Sequence, residues 1–194
     1  MINYITYPAK DKWKELTQRP FHNDEETVKR VSAILEDVKK RKDAALREYS
    51  LTFDKVSLEN FEVSEEEISQ ATNLVYAELK KAIKQAIKNI ETFHAVQKEE
   101  VKKVETQTGV VCWRKSVAIE NIGLYIPGGS APLFYTVLML AVPAKLADCN
   151  NIFLCTPPGK DGKINPAILF AASETGIHKI FKVGGAQAIA AMAF

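Results

Sequence analysis

The stretch IGLYIPGGSAPLFYTVLMLAVPAKLADCNNIFLC, Ile122 to Cys155, decides the fold. It opens on a short apolar run, breaks at Pro127, Gly128 and Gly129, continues as a helical pattern from Phe134 to Asp148, and closes on a second apolar run, NIFLC from Asn151. Two parallel strands need a connection of a dozen or more residues, usually a helix, so strand, turn, helix and strand in this order is the repeating unit of a parallel sheet. A third run, KIFKV from Lys179, follows at a similar interval. The pattern predicts an α/β fold with three βα units.

The crossovers carry their own signals. Asn165 followed by Pro166 supplies an N-cap and a first helical residue, and Gly176 a stop, which predicts a helix over Ala167 to Thr175. Pro143 is expected to bend or interrupt the first crossover. The third begins at Gly185 and is still running, apolar and uncapped, at Phe194. That predicts the amino-terminal part of a longer protein, or one that needs a partner over its open side.

Outward from the sheet, the amino-terminal half is charged and helical. After Asn23, a candidate N-cap, Val28, Val31, Leu35 and Val38 fall on one helical stripe. Asp43 is a candidate cap for a short helix carrying Leu46 and Tyr49. Ser64 to Glu67 has the Ser-x-x-Glu form of a capping box and precedes Ile68, Ala71, Val75, Leu79, Ile83, Ile87 and Ile90, which predicts one long amphipathic helix ending near Gln97. The acids thin out near Glu105, and GVVCWRKSVAI, Gly109 to Ile119, is rich in β-branched and aromatic residues, which predicts extended chain. The expected boundary divides a mainly helical region, residues 1–104, from the sheet region, 105–194.

Lysine and arginine number 26 and aspartate and glutamate 24, so no field of one sign points to nucleic acid or an acidic membrane surface. The apolar stretch Ala131 to Ala147 is short of a membrane span and carries Pro143 and Lys145, so it reads as a buried helix. Cys112, Cys149 and Cys155 form neither an even set nor a Cys-x-x-Cys pair, and no leader-like segment opens the chain, which points to a cytoplasmic protein.

In an open parallel sheet, ligands bind beyond the carboxyl ends of the strands, where helix N-termini present free N–H groups. Three turns are expected there: PGGSAP, TPPGKDG (Thr156 to Gly162) and VGGAQA (Val183 to Ala188). Paired glycines let a phosphate or ribose approach the main chain. None of the turns is a G-x-G-x-x-G, and TPPGKDG reads as a proline-fixed bend. His22, His94 and His178 have no metal-ligand spacing, and no nucleophile-histidine arrangement stands out. The run Glu65 to Glu67 reads as a helix first turn favoured by the macrodipole.

At WRKSVAIENIGLYIPGGSAPL, VLMLAVPAKLADC, CTPPGKDGKINPAILFAA and KVGGAQAIAAMAF the chain resembles histidinol dehydrogenases. VKKRKDAALREYSLTFD is similar to that family's Arg-x-Gly-Asp-x-Ala-Leu segment and following Phe-Asp pair, and FHAVQ, Phe93 to Gln97, also fits. The resemblance implies an incomplete Rossmann-like domain and NAD-dependent oxidation of L-histidinol to L-histidine through the aldehyde, in a homodimer that holds zinc. It places NAD-binding roles on Tyr125 and Gln187. The family's general base, water-activating glutamate and zinc ligands match no position in this chain, so no catalytic or metal-binding residue is assigned, and the chain alone is expected to be inactive. Lys42 stands where the family usually has glycine, which implies a turn that no longer needs a positive φ, and Tyr135 puts a bulky group at the first crossover. Two alternatives accompany this reading: a paralogue oxidising another small alcohol such as a sulfonated diol, and a non-catalytic binding or assembly module.

Overall fold

The computed structural model describes residues 4–18, 24–129 and 131–194. Asn23, the expected cap, and His22 lie outside them. A short turn at Lys10–Lys12 leads into α1 (Trp13–Leu16), followed by α2 (Glu25–Arg41) and α3 (Asp43–Tyr49). The cap of α2 is Asp24, whose carboxylate accepts from Thr27 N at 3.0 Å. A wide π-type turn at Ser50–Asp54 follows, then α4 (Glu65–Leu74) and α5 (Ala77–Ala95). An antiparallel hairpin, β1 (Lys103–Gln107) and β2 (Val110–Trp113), precedes the α/β part: β3 (Asn121–Tyr125), α6 (Phe134–Leu146), β4 (Asn151–Cys155), α7 (Pro166–Glu174), β5 (Lys179–Phe181) and α8 (Gly185–Ala193).

The three predicted strands form one parallel sheet in the order β3-β4-β5, with Ile122 opposite Ile152 and Leu154 opposite Ile180. Successive side chains of a strand point to opposite faces, so each strand contributes to two cores. Leu124, Ile126, Leu154 and Ile180 pack with Val137 and Leu138 of α6, Ile168 and Phe170 of α7, and Ile83 and Ile90 of α5. On the other face, Tyr125, Cys155, Phe181 and Val183 pack with Val38, Leu46, Ala188 and Met192 of α2, α3 and α8. Each fully buried Leu or Ile stabilises the fold by about 1.5–3 kcal/mol relative to exposure. The amino-terminal helices therefore belong to the same packing as the sheet. Among the described residues, no helix is long and apolar enough to cross a membrane.

Local signals hold where caps are explicit. Asn165 Oδ1 accepts from Ala167 N at 2.9 Å, Pro166 is the first helical residue, and Gly176 takes φ 74° just past the end of α7. Ser64 Oγ accepts from Glu67 N at 3.1 Å, but the returning half of the capping box is missing. The Glu67 carboxylate is taken by Lys182 of the segment after β5, at 2.7 Å.

Other expectations are overturned. The single helix predicted to start after Ser64 is two helices, broken where Val75 (φ −85°, ψ 125°) and Tyr76 (φ −70°, ψ 156°) are extended. The apolar spacing runs through the break, yet α4 packs on α7 and α5 on α6, and only a change of direction serves both neighbours. Val28 of the predicted α2 stripe is exposed, while Val38 is buried. Pro143 does not interrupt α6: it stands at the start of the last turn, and the helix continues to Leu146. Of the chain predicted to be extended over Gly109 to Ile119, only Val110–Trp113 is a strand, and its partner β1 contains Glu105. α6 is apolar on all sides but only partly buried, with Tyr135, Met139 and Leu140 exposed.

Lys42 is a further correction. It joins α2 to α3 at φ 53°, ψ −128°, a region that favours glycine, so the turn keeps the positive φ without the residue suited to it. The conformation is held from both sides: Arg41 Nε donates to Asp37 at 2.6 Å, Arg41 also pairs with Glu48 at 2.7 Å, and Tyr49 Oη donates to Asp37 at 2.9 Å.

Candidate functional site at the carboxyl edge of the sheet

The three turns converge. Ladder bonds extend past the strands, with Ile126 N donating to Cys155 O at 2.9 Å and Thr156 N to Phe181 O at 3.1 Å, so all three turns leave the sheet at one level. Pro157, from the middle turn, is wedged between its neighbours. A Cβ at Gly128 would lie 2.5 Å from Pro157 Cγ, and one at Gly184 would lie 2.5 Å from Pro157 Cβ. These two glycines are required by space, since Gly184 has an ordinary extended backbone (φ −110°). Gly129, beside them, has nothing within 4 Å of the place a Cβ would take.

Two features face this edge from opposite sides of the sheet. On the α4–α7 side lies a groove of about 560 Å³, lined by Pro127, Gly128, Gly129, Pro157, Gln70 and Asn165 among others. On the α2–α8 side, Tyr125 reaches across the sheet, and its hydroxyl oxygen accepts from Gly185 N at 2.9 Å, leaving the hydroxyl hydrogen free to donate. Gln187, only 2% exposed, turns its amide in against Gly185: a Cβ there would lie 2.5 Å from Gln187 Oε1. The structure thus brings Tyr125 and Gln187 together at the Gly184–Gly185 turn, which has φ 64° at Gly185.

The wedge was not singled out by sequence reasoning. Pro157 sits in the turn read as a proline-fixed bend, and its two glycine contacts come from chain 29 residues before it and 27 after it, by subtraction of the residue numbers. The flanking glycine pairs were the only local signal. Burial holds the Cys155 thiol, just below the wedge, up at about 11. His94 lies in the last turn of α5 with its ring Nδ1 2.8 Å from Gln97 Oε1, and His178 is exposed before β5. Among the described residues, no three His, Cys, Asp or Glu side chains are grouped to hold a metal ion. The edge therefore offers backbone N–H groups, one tyrosine hydroxyl and bare glycine faces: a surface for binding.

A sequence model of the histidinol dehydrogenase family matches residues 17–194. The chain belongs to the histidinol dehydrogenase family. It is 56% identical over 194 residues to the histidinol dehydrogenase of Bacteroides thetaiotaomicron, covering all of this chain and 45% of that one. The histidinol dehydrogenase of Escherichia coli O157:H7 is 49% identical over 195 residues, with 44% of its length covered. The crystal structure of histidinol dehydrogenase from Elizabethkingia anophelis superposes with a TM-score of 0.92 at 54% identity, covering 96% of this chain and 43% of that one. The chain thus spans less than half the length of these histidinol dehydrogenases and matches their amino-terminal portion.

Proposed function

We propose that this chain is the NAD-binding amino-terminal part of a histidinol dehydrogenase, an enzyme that oxidises L-histidinol to L-histidine through the aldehyde. Membership of the family motivates the reaction, and the observation that supports the assignment of the site is the convergence of three glycine- and proline-bearing turns on one sheet edge around Tyr125 and Gly185. NAD bound there would supply the hydride acceptor, one molecule for the alcohol and a second for the aldehyde. The residues present fit such a group, because Gly129 leaves open backbone where a side chain would intrude, and this edge is where parallel sheets take up nucleotides.

The chain's own residues are assigned as follows. Tyr125 accepts from Gly185 N and presents its hydroxyl hydrogen to the cofactor. Gln187 supports the cofactor through the Gly184–Gly185 turn, against which its amide is packed. Pro157 spaces the two glycine turns and keeps the edge open. Among the described residues none fit zinc, and no step is derived through it; ligands for zinc and the general base are assigned to the remainder of the relatives' length. Three free cysteines accord with a cytoplasmic location.

Titration of the purified chain with NAD, followed by calorimetry, tests the reading. Weak saturable binding is expected, lowered several-fold in Tyr125→Phe. Binding that is absent, or indifferent to both Tyr125→Phe and Gly129→Ala, overturns it. Zinc titrated separately is expected to give no stoichiometric uptake.

A further inference from the structure

A second groove, of about 540 Å³, adjoins the α4–α7 groove, and Glu67, Asp161 and Lys163 line both. Its walls are two loops, residues 55–58 after the π-type turn and residues 160–163 between β4 and α7, with Lys182 from the segment after β5. Four of its ten lining residues are lysines and two are carboxylates, a surplus of two positive charges. The formal net charge of the whole chain is +2, so this one groove holds a surplus as large as that of all 194 residues.

The two carboxylates present little of their charge to it. Glu67 Oε2 pairs with Lys182 Nζ at 2.7 Å, and among the described residues Glu67 Oε1 is closed off from solvent without a hydrogen-bond partner. Asp161 Oδ1 accepts from Lys163 N at 3.1 Å. Among the described residues, Lys55, Lys160 and Lys163 make no salt bridge. Lys55 Nζ donates to Thr52 O at 2.8 Å, which holds the side chain without neutralising it.

The backbone fixes where these cations stand. Gly162 takes φ 74°, and a Cβ there would lie 3.4 Å from Val56 Cγ1 and 3.8 Å from Leu58 Cδ2, so the two loops are packed against each other. Gly159 N donates to Lys163 O at 2.8 Å and Gly162 N to Gly159 O at 2.9 Å, which closes the second loop on itself. Lys55 stands at φ 61°, unusual for a residue other than glycine, and its backbone N–H donates to Ser50 O. Like charges gathered on fixed loops repel one another, and a bound anion reverses the sign of that energy.

We propose that this groove binds the phosphate group of a small molecule, with Lys55, Lys160 and Lys163 as its cationic partners and the exposed Ser57 hydroxyl as a further donor. Phosphate fits better than carboxylate. It carries up to two negative charges, which match the surplus, and its oxygens diverge toward donors on two facing loops, whereas a carboxylate offers one charge and two oxygens in a plane. Lysine serves such a group as a point charge and needs no planar fork of donors. Two sources carry this chemistry: a free diphosphate compound, and the 2′-phosphate of a dinucleotide lying in the adjoining α4–α7 groove. The site itself stands on the lysines and does not rest on the roles given to Tyr125 and Gln187.

Calorimetric titration of the 194-residue chain with inorganic pyrophosphate tests the site, and NADP titrated against NAD identifies the source. Saturable pyrophosphate binding is expected, weakened by added salt. In Lys160→Ala/Lys163→Ala it is expected to fall on the order of 10-fold or more, the factor that a charge-assisted hydrogen bond supplies. Both lysines are exposed and their removal relieves repulsion, so the melting temperature of this variant is expected to be unchanged or raised. Lys29→Ala/Lys40→Ala, on α2, removes the same charge elsewhere and is expected to leave binding unchanged. NADP bound about 10-fold or more tightly than NAD, with the difference lost in Lys160→Ala/Lys163→Ala, assigns the phosphate to the dinucleotide. Equal affinities for the two, with pyrophosphate bound, assign it to a free phosphate compound. Absence of both pyrophosphate binding and a preference for NADP overturns the proposal, and so does binding that the two double variants weaken equally. Pyrophosphate is titrated without NAD, so its outcome is separate from the NAD titration.

Discussion

Replacing Gly128 and Gly184 by alanine, each with and without Pro157→Ala, tests whether the carboxyl edge is organised by the wedge. A methyl group at Gly128 meets Pro157 Cγ at 2.5 Å, and one at Gly184 meets Pro157 Cβ at 2.5 Å and its Cα at 3.3 Å. Overpacking of this kind costs about 1–3 kcal/mol, while removing a glycine from the unfolded chain returns about 0.4–1 kcal/mol. Each single variant is therefore expected to lose about 1–2 kcal/mol, a fall of about 2–8 °C in melting temperature for a chain of this size. The double variants separate the two contacts. Pro157→Ala deletes Cγ and keeps Cβ, so it is expected to relieve Gly128→Ala with a coupling of about 1 kcal/mol and to relieve Gly184→Ala, whose nearest contact is Cβ and whose Cγ contact is at 3.1 Å, by less. Gly129→Ala, which meets nothing within 4 Å, is the control: its stability is expected to be unchanged or slightly raised while NAD binding falls. Thermal melting monitored by circular dichroism supplies the four-way comparison. Strict additivity in the Gly128–Pro157 cycle, or equal rescue of both glycine variants, refutes the wedge.

Lys42→Gly is expected to stabilise the chain by about 1 kcal/mol in urea unfolding, because it removes the strain of a lysine at positive φ at the cost of one exposed lysine contact. Asp37 is held down at about 2, chiefly by the Arg41 guanidinium and secondarily by the Tyr49 hydroxyl. A carboxyl group lowered in the folded state stabilises it above the unfolded value near 3.9 and loses that contribution as pH falls toward 2, so NMR titration of Arg41→Ala should show Asp37 titrating at a higher pH. A thiol reagent at pH 8 is expected to modify exposed Cys112 quickly and to spare Cys155, which burial keeps protonated; equal rates, read by mass spectrometry, contradict its position beneath the wedge.

The elements legible in advance were those whose signals lie within a few residues. The three strands announced themselves through apolar runs ended by glycine or proline, and α7 through Asn165, Pro166 and Gly176. The break at Val75–Tyr76 had no such mark, since neither residue is a helix breaker and the apolar spacing runs through it. Lys42 pointed the wrong way, because the loss of glycine looked like the loss of the positive φ that the packing of α2 on α3 still imposes. The same division holds at the site. Tyr125 and Gln187 came from motif resemblance, while their meeting at Gly185 and the wedging of Pro157 between two distant glycines are relations between segments.

By itself, the sequence determined the kind of protein: short apolar runs joined by helical segments commit a chain to a parallel sheet, and four ordered motifs placed it among the histidinol dehydrogenases. Only the tertiary structure decided which face α8 covers, where the long helical pattern turns, and which atoms bring the turns together. The physical reason is that local pattern fixes how each segment meets water, whereas these outcomes depend on contacts between segments far apart in the chain, whose geometry no single segment encodes.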